Sequence, residues 1–284
     1  MTRHDGLSQW IATVSTNLPP LSTPQATALA MWSFGIACTR SCGRLTVATF
    51  WGLRLGQKVD NLEQRLDEWC LAAPDKAGKR RTDLEVTTCF VALLAWIVRL
   101  WGDAQVALTI DCCDQLGDAL CVVLATGVAL RGCAIPVAWT MLPAGKKRAW
   151  RHAWLRMRSL LQPAIPRHWT VIGLADRGWY ARWRFTRISD LGWHPYLRIN
   201  QGGKFRPPGG GGFVWLQELG GTVGLRWRGR GTAFSSTEGQ LDCPLVAWWG
   251  AGHAEPWFIL TDLDPASCDA QWYALRGWCE QSFK

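Results

Sequence analysis

Three carboxylates stand out by position: Asp111 closes the apolar run Val106 to Ile110, Asp176 closes Thr170 to Ala175, and Glu280 follows Tyr273 and Arg276 in the last stretch. Carboxylates drawn from distant segments to one place are what a two-metal phosphoryl-transfer site needs. Magnesium is a hard cation that prefers oxygen ligands, and a pair of such ions stabilises the attacking and leaving oxygens of a phosphodiester. Tyr273, Arg276 and Glu280 are at i, i+3 and i+7, so a helix would line them along one stripe. On that stripe the guanidinium can fork to a phosphate, the phenol can donate to one, and the carboxylate can complete a metal site. The same spacing also suits an exposed helix with an Arg–Glu pair one turn apart. Asp176, in Asp176-Arg177-Gly178, suits a turn and helix start as well as a metal ligand. Asp114 competes with Asp111, but its place just past the strand reads as a turn-former or helix cap.

The charge around these residues is uneven. The 284-residue chain carries a formal +9, yet Lys146 to Arg187 alone holds eleven Lys or Arg and one acid, Asp176. Such a segment, opened by Lys146, Lys147, Arg148 and Arg151, predicts a patch that holds a phosphate backbone with steep salt dependence. A solvated helix face is the plainer alternative. The 20 tryptophans supply base-stacking surfaces or simply core.

A hydrophobic content of 48% excludes a disordered chain. Cys89, Cys121 and Cys133 sit inside apolar runs, where a free thiol packs as a small hydrophobe. Cys38 and Cys42 lack a second Cys or His pair at zinc spacing, and no secretory leader opens the chain. The expectation is a reducing cytoplasm. Val86 to Leu100 and Ala119 to Leu130 are shorter than the roughly 18–20 apolar residues of a membrane-spanning helix, so no membrane role is expected.

The elements that must position the carboxylates follow from periodicity. Residues 1–100 read as helical: Thr23-Pro24 starts a helix over Gln25 to Ala37, and Leu45 to Leu55, Val59 to Leu71 and Val86 to Leu100 continue the pattern. Short helices joined by tight polar turns suit a helix-turn-helix or a packing domain without base contacts. The pattern then becomes strand-like. Val106 to Ile110, Cys121 to Leu130 and Cys133 to Leu142 form three strands, the last two joined at Arg131-Gly132. A helix over Arg148 to Leu161, a strand over Thr170 to Ala175, a helix over Tyr180 to Leu191 and a strand over Pro195 to Ile199 follow. That order is the order of a ribonuclease-H-like α/β core, a mixed sheet flanked by helices, assigned to 101–200 and 256–284. Segment 201–255, with Gly209 to Gly212 and the strand-like runs Phe213 to Leu216, Val223 to Trp227 and Leu245 to Trp249, reads as a β-rich insertion. Phe258 to Leu263 returns to the core, and Ala266 to Lys284 reads as a closing helix.

Together these residues resemble the bacterial insertion-sequence transposases of the DDE class. The likeness is to the IS-four-like group, whose third carboxylate lies in a Tyr-x2-Arg-x3-Glu-x6-Lys motif. Tyr273, Arg276 and Glu280 match its first three positions. Ile110-Asp111 and Ala175-Asp176-Arg177-Gly178-Trp179-Tyr180 resemble its two Asp motifs. The resemblance covers about 105–284, and a β-rich insertion before the Glu is a family feature. The family lysine would fall beyond Lys284, and a C-terminal helical segment would follow it, so the chain reads as truncated.

The resemblance implies metal-dependent cleavage of double-stranded DNA at transposon terminal inverted repeats, followed by strand transfer into target DNA. Asp111, Asp176 and Glu280 would be catalytic and would hold two Mg2+, with Mn2+ able to substitute. Arg177, Tyr273 and Arg276 would position phosphates. A homodimer on DNA, cytoplasmic and nucleoid-associated, is the implied setting. Two other readings stay open: a catalytically dead DNA-binding remnant, and a nuclease of the same fold that cuts without joining.

Overall fold

Apolar residues at helical spacing build the first of two units into which the chain divides, Met1–Leu100 and Trp101–Lys284. The computed structural model describes residues 3–77, 81–113, 121–143, 147–209 and 211–282. Leu7, Ile11 and Val14 recur every three or four residues along α1 (Arg3–Asn17), a helix that falls within the expected helical 1–100 but ahead of the runs delimited there. In α2 (Thr23–Thr39), Pro24 sits in the first turn and Gln25 Oε1 accepts the backbone N–H of Ser22 at 2.9 Å. Then come α3 (Arg44–Leu55), stopped by Gly56 at φ 63°, and α4 (Val59–Cys70), which buries Leu62 and Leu66. The expected helix over Val86 to Leu100 is a 3-10 turn, Val86–Cys89, running into α5 (Phe90–Leu100). Thr88 tightens that first turn by donating from both its N–H and its hydroxyl to the Glu85 carbonyl. Two apolar clusters hold this unit, one around Met31, Val47 and Trp51 and the other around Val14, Leu18 and Ala30.

The second unit is mixed α/β. Its elements are β1 (Gln105–Cys113), β2 (Cys121–Leu130), β3 (Cys133–Pro143), α6 (Lys147–Leu161), β4 (Thr170–Ala175), α7 (Arg182–Asp190) and β5 (His194–Ile199). There follow β6 (Lys204–Arg206), β7 (Val214–Trp215), α8 (Leu216–Leu219), β8 (Arg226–Ala233), β9 (Leu241–Trp248), β10 (Trp257–Leu260) and α9 (Trp278–Ser282). Among the described residues one ten-stranded sheet forms, ordered β3-β2-β1-β4-β5-β10-β9-β8-β6-β7. The β2–β3 hairpin closes at Arg131 and Gly132, φ 45° and 91°, the two positive values a primed two-residue turn requires. β1, β4 and β5 are mutually parallel, and α6 and α7 lie in the connections. Consistent with that, β4 is buried along nearly its whole length.

Residue parity sorts the two sheet faces. Gly173 faces Ile188 of α7 and the Arg158 guanidinium of α6, with a hypothetical β-carbon 3.4 and 3.7 Å from them. Its neighbours Ile172 and Leu174 face the other way, where Tyr196, Ile259 and Tyr273 complete a core cluster. Helices therefore cover both faces. Strands alternate sides every residue, so Asp111 and Asp176 share the face that carries Tyr273.

Several expected boundaries move. Asp111 is not at a strand end, because antiparallel pairing with β2 carries β1 on to Cys113 through Asp111↔Ala125 and Cys112↔Leu124. Phe213 to Leu216 yields only the two-residue β7 before α8. The strand expected from Val223 begins at Arg226, since Gly224 takes φ 100° in a turn. The closing helix is broken into 3-10 segments Pro265–Ser267 and Ala270–Gly277 and then α9, because Asp264 and Asp269 each cap a fresh start through Ala266 N–H and Gln271 N–H. Segment 201–255 supplies β6 to β9, which extend the same sheet through β10. Cys133 is exposed at the hairpin rather than packed, whereas Cys243, Cys268 and Cys279 are buried free thiols; Cys121 and Asp114 lie outside what is described, Cys121 by its side chain. Among the described residues no helix is long and apolar enough to cross a membrane.

Candidate active site

The parallel register Ile110↔Ala175 sets the next residues, Asp111 and Asp176, side by side. Asp111 lies within β1, and its Oδ1 accepts the Cys112 N–H at 2.9 Å. Asp176 follows β4 and caps a 3-10 turn, accepting the Arg177 N–H at 2.7 Å. Over them runs the helix from Ala270. Because Ala270–Gly277 is 3-10, with three residues per turn, Tyr273 and Arg276 eclipse each other; the switch to α geometry then lets Arg276 meet Glu280 at i+4.

The side chains converge on one guanidinium. Arg276 Nη2 lies 3.0 Å from Asp111 Oδ1 and 3.9 Å from Asp176 Oδ2, and Nη1 lies 2.6 Å from Glu280 Oε1. Tyr273 donates its hydroxyl to Asp176 Oδ1 at 3.1 Å. Side-chain exposure runs from 11% at Arg276 through 16% at Asp111 and 36% at Asp176 to 63% at Glu280, so the cluster opens to solvent on the Glu280 side. Burial pushes the Asp111 carboxyl above its ordinary value; Arg276 pulls it back only in part, and Asp176 and Glu280 push it further up. Three carboxylates against one guanidinium leave a surplus of negative charge in a half-buried place.

Of the expected phosphate contacts, Tyr273 is buried against Trp257, with ring centroids 5.2 Å apart, and its hydroxyl donates to Asp176. Arg276 is turned onto the carboxylates, its Nε buried without a hydrogen-bond partner. Arg177 is exposed, but its Nη1 pairs with Glu255 at 2.7 Å, and Arg198 Nη2 meets the same carboxylate at 2.7 Å. Glu255 and Arg198 escaped the sequence reading: Glu255 sits before Pro256 at the start of an apolar run, and nothing in sequence ties it to an arginine 78 residues away.

Among the described residues, the basic segment is divided between buried, paired and exposed arginines. Arg158 and Arg184 are buried, the first stacked between Trp154 and Trp193 at 5.1 and 6.0 Å. Burial lowers their guanidinium pKa values to about 9 and about 10. Arg187 pairs with Asp190. Arg151 is exposed and lies 4.9 Å over Trp183, while Arg156, Arg167 and Arg182 are also exposed. Lys146 lies outside the described residues, as do the side chains of Lys147 and Arg148 at the start of α6.

Whether a divalent cation suits the cluster turns on its donors. All are carboxylate oxygens from three elements carrying surplus negative charge, a set that fits a hard cation. Yet among the described residues no group of three or more His, Cys, Asp or Glu side chains is arranged to hold a metal ion. The centre of the cluster is filled by the Arg276 guanidinium instead. No protein-family model and no curated protein matches the chain.

Proposed function

We propose that the chain is a DDE-type transposase of the insertion-sequence class, with a ribonuclease-H-like core and a β-rich insertion at 201–255. The observation that carries this reading is the convergence of Asp111, Asp176 and Glu280 on Arg276. Its support from the fold is the order of three antiparallel strands followed by two parallel neighbours, β3-β2-β1-β4-β5. Asp111, Asp176 and Glu280 are the residues that would hold Mg2+ or Mn2+, which when bound supplies charge stabilisation to a phosphodiester under attack. Tyr273 fixes the orientation of Asp176. Arg276 keeps the carboxylates gathered and is the residue that would position a phosphate beside them. The test is strand transfer: a short duplex ending in the element's own terminal repeat, incubated with Mg2+ and target plasmid, is expected to yield joined product. Cleavage without joining would select a nuclease of the same fold.

A silent DNA-binding relative is the second reading, favoured by Arg276 filling the centre of the cluster; binding with no cleavage in Mg2+ or Mn2+ would select it. On either reading, the exposed Arg151, Arg156, Arg167 and Arg182, with the candidates Lys146, Lys147 and Arg148, set the electrostatic footprint. Four to seven phosphate contacts predict a slope of log K against log salt of about −4 to −6 on duplex DNA. A slope near −10, what the whole basic segment acting together would give, would show that the buried and paired arginines also reach phosphate.

A further inference from the structure

We propose that Arg177, Arg198 and Gln201 form a phosphate-binding site that Glu255 occupies as an intramolecular stand-in for the anion. The inference rests on the transposase reading only for the source of the phosphate, a DNA strand. One carboxylate here collects three donors. Its Oε1 lies 2.7 Å from both Arg177 Nη1 and Arg198 Nη2, and its Oε2 accepts from Arg177 at 2.8 Å and from Gln201 Nε2 at 3.1 Å. Two guanidiniums and an amide converging on one group is the constellation that recognises a phosphate, since both anions present paired oxygens to an arginine fork.

Arg177, Arg198 and Glu255 together carry a net positive charge, which the neighbouring Asp176 offsets only from the other side of Arg177 and Tyr273. Arg198, 12% exposed on β5 with its guanidinium 5.9 Å over the Tyr273 ring, is the fixed wall, and Arg177, 46% exposed, is the outer wall. Glu255, 31% exposed, comes from the loop between β9 and β10, so it can withdraw without disturbing a strand. The position is also the right one. The Arg177 backbone N–H holds Asp176, and Tyr273, beneath Arg198, holds the same carboxylate, so a phosphate here would sit beside the candidate active site. Burial alone would raise the Glu255 carboxyl, but Arg198 and Arg177 outweigh it and hold it below its ordinary value.

Glu255→Gln tests this, because the amide keeps the shape and removes the charge. Pyrophosphate binding by calorimetry and binding of a random-sequence duplex across a salt series are the two measurements. The variant is expected to bind pyrophosphate about two- to fivefold more tightly, the size of a half-exposed ion pair released. Its DNA salt slope should steepen by about 0.9, one further phosphate contact. A merely structural ion pair would lower the melting temperature and leave both readouts unchanged or weaker, and that result overturns the proposal. If pyrophosphate binding tightens but neither protein binds DNA, the anion site stands and the transposase reading falls. If DNA is bound and the substitution alters neither readout, the anion site alone falls. Should Glu255→Gln fail to fold, Arg177→Gln serves: weaker pyrophosphate binding than wild type is expected, and unchanged binding overturns the site.

Discussion

Asp176→Asn is expected to bind duplex DNA as tightly as wild type and to lose Mg2+-dependent cleavage by about 10³-fold or more. The separation follows from what Asp176 touches. It accepts from the Arg177 backbone N–H and the Tyr273 hydroxyl and lies 3.9 Å from Arg276, and the side chains of Arg151, Arg156, Arg167 and Arg182, which would grip a backbone, are not among these contacts. Asparagine retains one oxygen for the capping N–H but removes a charge from the set that would hold a metal. Charge stabilisation by a metal is worth several kcal/mol of barrier, and each 1.36 kcal/mol is tenfold in rate. Filter binding and a plasmid nicking assay on the same preparation check it. Wild-type nicking by the variant would remove Asp176 from the mechanism.

Arg276→Gln should produce the largest loss of stability of any single change in the site. Arg276 is 11% exposed and, among the described residues, is the one cation touching Asp111, Asp176 and Glu280 together. Removing it strands the 16%-exposed Asp111 carboxylate beside two others. Breaking one side of a buried ion pair costs about 3 kcal/mol, which for a unit of this size lowers the melting temperature by roughly 6–12 °C. The loss has a defined pH dependence. The Asp111 carboxyl, already raised by burial, rises further without Arg276, so the folded state holds the proton more tightly than the unfolded chain does. Stability of the variant is therefore greatest below the unfolded carboxyl value and falls as pH climbs through it towards the raised folded value. Millimolar Mg2+ should restore more stability to Arg276→Gln than to wild type, because the ion no longer competes with the guanidinium. Thermal melts at pH 4 and pH 8, with and without Mg2+, read all of this. Equal melting of variant and wild type at pH 8 would contradict it.

How far the sequence could be read depended on the range of the interactions involved. β4 was legible to the residue, because Thr170 to Ala175 is a continuous apolar run bounded by polar turns. The β2–β3 hairpin was legible because Arg131-Gly132 is a local turn signal. Asp111 was placed at a strand end because periodicity stops at Ile110, while the pairing that carries β1 to Cys113 is supplied by a different strand. The helix holding Tyr273, Arg276 and Glu280 was recognised, but its 3-10 geometry over Ala270–Gly277 has no local sequence signal. The same limit explains the arginines. Composition counts Arg158 and Arg184 as surface charge, whereas Trp154, also buried, stacks against both. Counting could not show that Arg177 is paired with Glu255 either, since that contact spans 78 residues.

The most direct measurement is nicking of supercoiled plasmid by the wild-type chain in Mg2+ or Mn2+ against EDTA, with Asp111→Asn as the matched control. The transposase account predicts nicking by wild type that needs the divalent ion and disappears in the Asp111 variant. Nicking that persists in Asp111→Asn, or no nicking by a folded wild type that binds the plasmid, would contradict it.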